Sequence, residues 1–453
     1  MKSSYDLIII GAGPAGLTAA KTAAENGLSV ALLERKDTIS EILRLCAMML
    51  VTLSGSYMGE RVIHNEDKGL LCFPHHGFNL KYDGPTKDFY AWQIYSPGGE
   101  KICFGDYASN VQKGKAGRAS AVYDKSWFLR GLFEECQRLG VHVFTGANVV
   151  EVRKTGDSVC VHTATGKSFK GTFAIAADGR VSRTARILGL NQKRGFYGTV
   201  TSWAYEMTNL NLPHPYALYQ VLLSSGDPPM LSFIVPRAWN HQGDEVWLVM
   251  VGSANPANNH EALFDYFTQK SRFSGWFKQA KKIKRCGVVG NIYSPVFSPF
   301  KDNVIFAGDA GWCQEAEMTG AVMCGWKAAN TVTCALQEGM LGEEGIKPYL
   351  EWWKTYHLEK IDYQVFLKNL LMPVLCSDDE IDYIFSKIQE TLPTVLDPYE
   401  VPAHMGKAMA KIIPAIRAER PDLIIKMENF NSFPPSLFLK NTIRAGFDCR
   451  FTT

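Results

Sequence analysis

Asp6-Leu-Ile-Ile-Ile-Gly11-Ala-Gly13-Pro-Ala-Gly16 decides how the chain is read. The apolar run Leu7–Ile10 suits a parallel strand buried on both faces. It enters a GxGxxG loop, and an alanine-rich helical stretch follows from Pro14 to Asn26, with Gly27 as its stop. A second apolar strand, Ser29–Leu33, ends at Glu34. Each piece has a physical task. Gly11 permits the tight turn, Gly13 lets backbone approach a pyrophosphate, and Gly16 lets the helix pack close to the sheet. The helix N-terminus offers free N–H groups and the positive end of its dipole. Glu34 stands where an acid accepts hydrogen bonds from ribose hydroxyls, and it disfavours a 2′-phosphate. Strand, loop, helix and acid together specify a dinucleotide site, but not which dinucleotide.

Two later segments narrow the choice. Gly171-Thr-Phe-Ala-Ile-Ala-Ala-Asp178-Gly179 is a strand that turns at Asp-Gly into a short helix carrying Ser182 and Arg186. Asn303-Val-Ile-Phe-Ala-Gly308-Asp309-Ala-Gly is a buried strand turning at Gly-Asp, with a helix after Thr319-Gly320. An acid at such a strand end can accept from a ribityl hydroxyl, and the following helix start can face the electron-rich edge of a flavin ring. Either turn alone would read as an ordinary loop.

The order GxGxxG…E, ADGxxSxxR, GDA resembles the para-hydroxybenzoate hydroxylase superfamily of FAD enzymes over roughly residues 5–335. Within it the chain is similar to the geranylgeranyl reductase family. Arg44-Leu-Cys46-Ala stands where those reductases carry an Arg-x-Cys-Gly-like segment, and Gly308-Asp-Ala-Gly-Trp lacks the hydroxylases' histidine. The tail from Leu370 to Phe385 resembles their C-terminal helical region. There are departures. The GxGI segment is replaced by Met318-Thr-Gly320-Ala, the aromatic YxWxFP segment is reduced to Leu231-Ser-Phe-Ile-Val-Pro236, and the arginine before the 124–140 helix is offset to Arg118.

The resemblance implies an α/β fold: a Rossmann-like FAD-binding domain, an antiparallel-sheet substrate domain and a C-terminal helical region. The expected bounds are 1–190 with 285–340 (strands near 70–105 inserted), 191–284, and 341–453. Residues 261–284 read as helical within the second of these. The aromatics from Tyr349 to His357 read as helix–helix packing. Expected FAD contacts are Gly11, Gly13, Pro14, Ala15, Gly16, Glu34, Arg35, Arg44, Cys46, Arg118, Val150, Asp178, Gly179, Gly308, Asp309, Gly320 and Ala321. The implied activity is flavin-dependent reduction of a C=C bond in an apolar, isoprenoid, lipid-like or polycyclic substrate. A monooxygenase on the same fold and a non-catalytic flavoprotein are the alternatives. Reduction of C=C needs a proton donor beside the ring. Cys46, Cys313, Glu315 and Glu317 are the groups placed nearest it, though Cys46 reads equally as a small buried thiol and the others as loop residues.

Bulk composition agrees. The 453 residues are 46% apolar and 21% charged, with a formal charge of +3. That is ordinary for a globular chain and too weakly basic for a nucleic-acid binder. No uncharged apolar run is long enough to cross a bilayer, so the expected location is cytoplasmic, with a possible peripheral contact at the inner membrane face. The eleven cysteines lack paired spacing and read as reduced thiols, and the ten histidines are too scattered for a metal site. No second GxGxxG unit follows. The electron donor is therefore expected to be NAD(P)H visiting the flavin directly, or a ferredoxin-like protein.

Overall fold

Leu7, Ile8 and Ile9 are wholly buried, as a strand covered on both faces requires. The computed structural model describes residues 4–50, 57–223, 230–253, 259–312, 317–360, 376–397 and 400–432. Cys313, Glu315 and the segment from Leu370 to Leu375 lie outside the described residues.

The parallel part of the first sheet runs in the order His142–Phe144, Val30–Leu33, Tyr5–Ile10, Ser168–Ala176, Val304–Phe306. The hairpin Val149–Thr155 with Ser158–Thr163 joins the first half of Ser168–Ala176. Three helices cover one face: Pro14–Glu25, Lys125–Arg138 and Glu317–Gln337. Two of them meet without side-chain spacers. A methyl group at Gly325 would stand 2.1 Å from the carbonyl oxygen of Ala15. A methyl group at Gly16 would stand 1.9 Å from that of Gly11. Small residues at both contacts let the helix start sit directly against the strand ends.

The second sheet has seven strands, in the order Lys281–Tyr293, Phe196–Thr208, Asp244–Ser253, Met230–His241, Ala217–Leu223, Ala91–Tyr95, Lys101–Phe104. Two expectations are corrected here. The strands at 91–104, read as an insertion in the first domain, extend this sheet instead, through parallel pairing of Ala91–Tyr95 with Ala217–Leu223. The sheet is therefore mixed, and the partner of Ala91–Tyr95 is too distant in sequence for local pattern to announce. Residues 261–284 are helical only in part. His260–Asp265 is α-helix, wider and tighter turns follow, and from Lys281 the chain is strand. Lys281-Lys-Ile-Lys sits on an edge strand, where its charges block further pairing.

Helix Glu343–Trp353 and the turn Lys354–Glu359 pack behind the end of Val304–Phe306. Tyr349 donates its hydroxyl to the Phe306 carbonyl at 2.8 Å, and the Trp353 indole donates to the Val296 carbonyl at 2.8 Å. His357 is fully buried, stacked on Trp353 at 3.8 Å and edge-on to Trp312 at 4.7 Å. The aromatic set of this tail is packing, as its sequence suggested. Nδ1 of His357 has no partner among the described residues, and burial pushes the imidazole down to about 3.

His357 is therefore neutral in the folded protein and free to protonate in the unfolded chain. Below its ordinary value of 6.5 the unfolded state binds the extra proton, so stability falls as pH drops from there to about 3. The expected loss is at most about 1.4 kcal/mol per pH unit from this group. His357→Phe keeps an aromatic ring and should flatten that dependence. Urea midpoints of both proteins at about pH 7 and about pH 5 check it; identical pH slopes would remove His357 as the cause.

Candidate functional site

A cavity of about 740 Å³ opens at the C-terminal ends of the parallel strands and reaches the edge strand Lys281–Tyr293 of the second sheet. Gly11, Gly13, Pro14 and Ala15 form one end, with Glu34, Arg35 and Lys36 beside them. Asp178, Gly179, Arg183 and Arg186 line one side, and Gly308, Asp309, Glu317 and Ala321 the floor. Arg44, Cys46, Met48, Met49, Tyr123 and Lys125 make the opposite wall, and Val288, Val289, Asn291 and Tyr293 close the far end.

The glycine loop separates structural from cavity-facing glycines. Gly11 has φ +100°, and a methyl group there would meet the Ala177 carbonyl at 2.5 Å. Gly13 has φ −79°, which any residue adopts, and a methyl group there would meet nothing within 4 Å. No contact inside the fold requires glycine at 13; the open space beyond it does, if a pyrophosphate fills that space. The helix Pro14–Glu25 has no side-chain cap at its start and no acid in its first turn. Its N–H groups are thus left for an anion. These residues fit FAD.

Glu34 is buried and braces the loop. The Ala12 N–H donates to its Oε2 at 2.7 Å and the Lys36 N–H to its Oε1 at 2.9 Å. Fixed this way, the carboxylate keeps lone pairs facing the cavity for hydroxyl donors. Asp178 is engaged differently. It accepts the Ser182 hydroxyl at 2.6 Å and both the N–H and hydroxyl of Thr184 at 3.0 and 2.9 Å. Its carboxylate builds the turn into helix Arg183–Ile187 while the residue lines the cavity. Asp309 pairs with Arg44 at 3.2 Å, joining the floor to the opposite wall. The Lys36 ammonium donates to the carbonyls of Ile39 and Glu41, at 2.6 and 2.9 Å. Burial holds it below the usual lysine value, with Glu34 pulling the other way. Lys125 donates to the Cys46 sulfur at 3.7 Å. Burial holds the Tyr123 phenol well above its ordinary value, so it stays protonated.

Four expected contacts lie off the cavity. Gly16 serves the helix–strand approach described above. Arg118 is paired with Asp88 of the neighbouring strand at 3.3 Å. Val150 is 43% exposed, and Val149 lines the cavity in its place. A register shift in the hairpin between Val149 and Glu151 explains the one-residue offset. Gly320 packs against Tyr57 and Met58 instead, and its neighbour Ala321 reaches the cavity. Residues missed from sequence include Tyr123, Lys125, Arg183, Val288 and Val289. A signal for Lys125 existed: it follows Asp124, whose carboxylate caps helix Lys125–Arg138 and points that helix start at the site. The edge strand carried none.

Among the described residues no cluster of His, Cys, Asp and Glu could hold a metal ion, and no helix is long and apolar enough to cross a membrane.

Residues 4–313 match the family described as FAD binding domain. The chain is 32% identical over 438 residues to a digeranylgeranylglycerophospholipid reductase of Methanosarcina acetivorans, covering 91% of this chain and 95% of the relative. A reductase of the same name from Methanococcus vannielii is 25% identical over 427 residues, covering 91% and 96%. Among solved structures, a geranylgeranyl bacteriochlorophyll reductase-like protein of Thermoplasma acidophilum shares the fold. It has a TM-score of 0.67 at 18% identity, covering 94% of this chain and 99% of the other.

The contrast between glycines gives a test. Gly13→Ala should fold normally and bind FAD at least about tenfold more weakly, a loss of about 1.4 kcal/mol. Gly16→Ala should instead lower the stability of the apoprotein by about 1–3 kcal/mol or more through overpacking. Flavin fluorescence titration and thermal melts of the apoproteins separate the two. Equal FAD affinity in Gly13→Ala and the parent would mean that the pyrophosphate does not lie there.

Proposed function

Since the chain belongs to the digeranylgeranylglycerophospholipid reductase family of FAD-binding-domain proteins and is an FAD-dependent oxidoreductase, we propose that it saturates C=C bonds of an isoprenoid lipid lying between the cavity and the second sheet. The first sheet and its helices hold the cofactor; the seven-stranded sheet receives the substrate.

The observation that carries this reading is the face of the second sheet turned toward the cavity wall. Two neighbouring cross-strand rows run along it, Val288–Ser202–Gly252–Leu231–Leu222 and Cys286–Ala204–Met250–Phe233–Gln220. The first row begins at the cavity-lining Val288, and Leu231, Phe233 and Met250 are only half-buried, while Ala204 and Leu222 are packed into the core. A mainly apolar strip that starts at the cavity with Val288 and carries half-buried Leu231, Phe233 and Met250 suits a long hydrocarbon chain. The opposite face of the sheet is filled by its own aromatic core, including Tyr219, Phe264 and Phe273. At the mouth, Leu43, Val181 and Val289 line the cavity yet are 63%, 67% and 61% exposed, with Arg180, Arg183 and Arg186 nearby. Apolar tips among cationic side chains suit contact with an anionic lipid surface, from which such a substrate would enter.

FAD held by the glycine loop, Glu34 and the cavity floor would, once reduced by NAD(P)H or a ferredoxin-like donor, supply the two electrons and one hydrogen that a double bond takes up at one carbon. The other carbon needs a proton from the protein. Cys46 is the group we assign, with Glu317 as the second acid lining the cavity. The Lys125 ammonium, 3.7 Å from the Cys46 sulfur, compensates the charge that remains when the thiol gives up its proton. Apolar neighbours Met48, Met49 and Met318 keep water from the reacting carbons.

The test uses the yellow holoprotein, reduced with dithionite under anaerobic conditions and mixed with detergent-dispersed phospholipid carrying geranylgeranyl chains. Flavin absorbance should return, and the lipid should gain two hydrogens for each flavin reoxidised. Flavin that stays reduced with lipid but delivers oxygen to it in air would make the protein a monooxygenase. Cys46→Ala should retain FAD and slow the reoxidation by about 100-fold. An undiminished rate would remove Cys46 as the donor.

A further inference from the structure

Arg237 lies in the second sheet, on strand Met230–His241, and is only 2% exposed. It is not a cavity-lining residue, and nothing in the sequence marks it. Its Nη1 donates to two successive backbone carbonyls of the cavity wall, Cys46 at 2.9 Å and Ala47 at 3.3 Å. Its Nε pairs with Glu206 at 3.1 Å. We infer that Arg237, held by Glu206, is a positioning residue that sets where Cys46 stands over the cavity. This rests on the assignment of Cys46 to the reacting site.

The physics favours a brace of this kind. A guanidinium stays charged at any working pH, so the hold does not loosen when the reaction moves protons. Buried alone it would be costly; Glu206 supplies the opposite charge and the two carbonyls take further donor capacity. Two consecutive carbonyls directed to one nitrogen restrict both peptide planes, and with them the direction of the Cys46 side chain. Neighbouring ties complete the clamp. The Leu45 N–H donates to the Gly287 carbonyl at 3.0 Å, and the Tyr123 N–H donates to the Met48 carbonyl at 2.9 Å. The wall is thus tied at Leu45 and Cys46–Ala47 to the substrate sheet, and at Met48 to the strand leading to Lys125. Strand Met230–His241 also carries Leu231 and Phe233 of the apolar strip, so a lipid seated there presses on the element that holds Cys46.

The experiment reads thiol accessibility. Holoprotein is treated with iodoacetamide, and the alkylation of Cys46 is followed by peptide mass spectrometry. Cys160, on the distant hairpin strand Ser158–Thr163, serves as internal reference. In Arg237→Met, the rate at Cys46 should rise about tenfold relative to that at Cys160, with FAD still bound. Arg237→Lys keeps the charge without the fork and should rise less; it serves alone if the methionine variant does not fold. Glu206→Gln should also raise the ratio. A ratio unchanged from the parent in the folded variants, or a parallel rise at both cysteines, would overturn the assignment. Turnover in Arg237→Lys should show a lower kcat at near-constant KM. Loss of turnover in Cys46→Ala is judged separately, so failure of the active-site reading is distinguishable from failure of the brace.

Discussion

Helix Pro14–Glu25 reaches the strand ends with no side chain between them, and the site depends on that contact. Gly16 rests on the carbonyl of Gly11, and Gly325 brings helix Glu317–Gln337 onto the carbonyl of Ala15. Backbone packed on backbone places an uncapped helix start at the strand ends. Any larger residue at these contacts would push the N–H groups away from the cavity and take the floor residues Met318 and Ala321 with them. The buried glycines and alanines of both helices follow from this one distance.

The segment from Arg44 to Leu50 is the second joint. It pairs with Asp309 in the floor, accepts from Arg237 in the sheet, and ends as a short strand beside Ser120–Tyr123. Leu45 also enters the core that packs strands Thr86–Phe89 and Ser120–Tyr123 on the second sheet, with Phe89, Val122, Ala204, Leu218 and Leu248. One short stretch thus answers to both units. A wall assembled in this way can carry reactive groups on a segment with little regular structure, because its backbone is held by ties from several sides.

The charges around the cavity are divided by task. Asp178 and Glu34 spend hydrogen bonds on shaping their own loops, so their carboxylates are fixed before any ligand arrives. Lys36 caps nearby carbonyls. Preorganised dipoles of this kind cost little reorganisation when a cofactor binds.

Much of the site was legible in sequence because its parts are local. A strand, a glycine turn, a helix and an acid lie within about thirty residues of one another, and Asp178-Gly179 and Gly308-Asp309 each mark a strand end in two residues. These signals express steric and hydrogen-bonding rules that act over a few neighbours. They pointed to the parallel strands and to FAD. Tertiary structure decided the rest. Val149 rather than Val150 faces the cavity because the hairpin register shifts there. The strands at 91–104 joined the second sheet because a parallel partner was available to them. Val288 reached the cavity, and Arg237 with Glu206 came to lie behind its wall, only because sheet pairing carried them there. Pairing and burial depend on which distant segments meet, and a single sequence read locally holds no record of that.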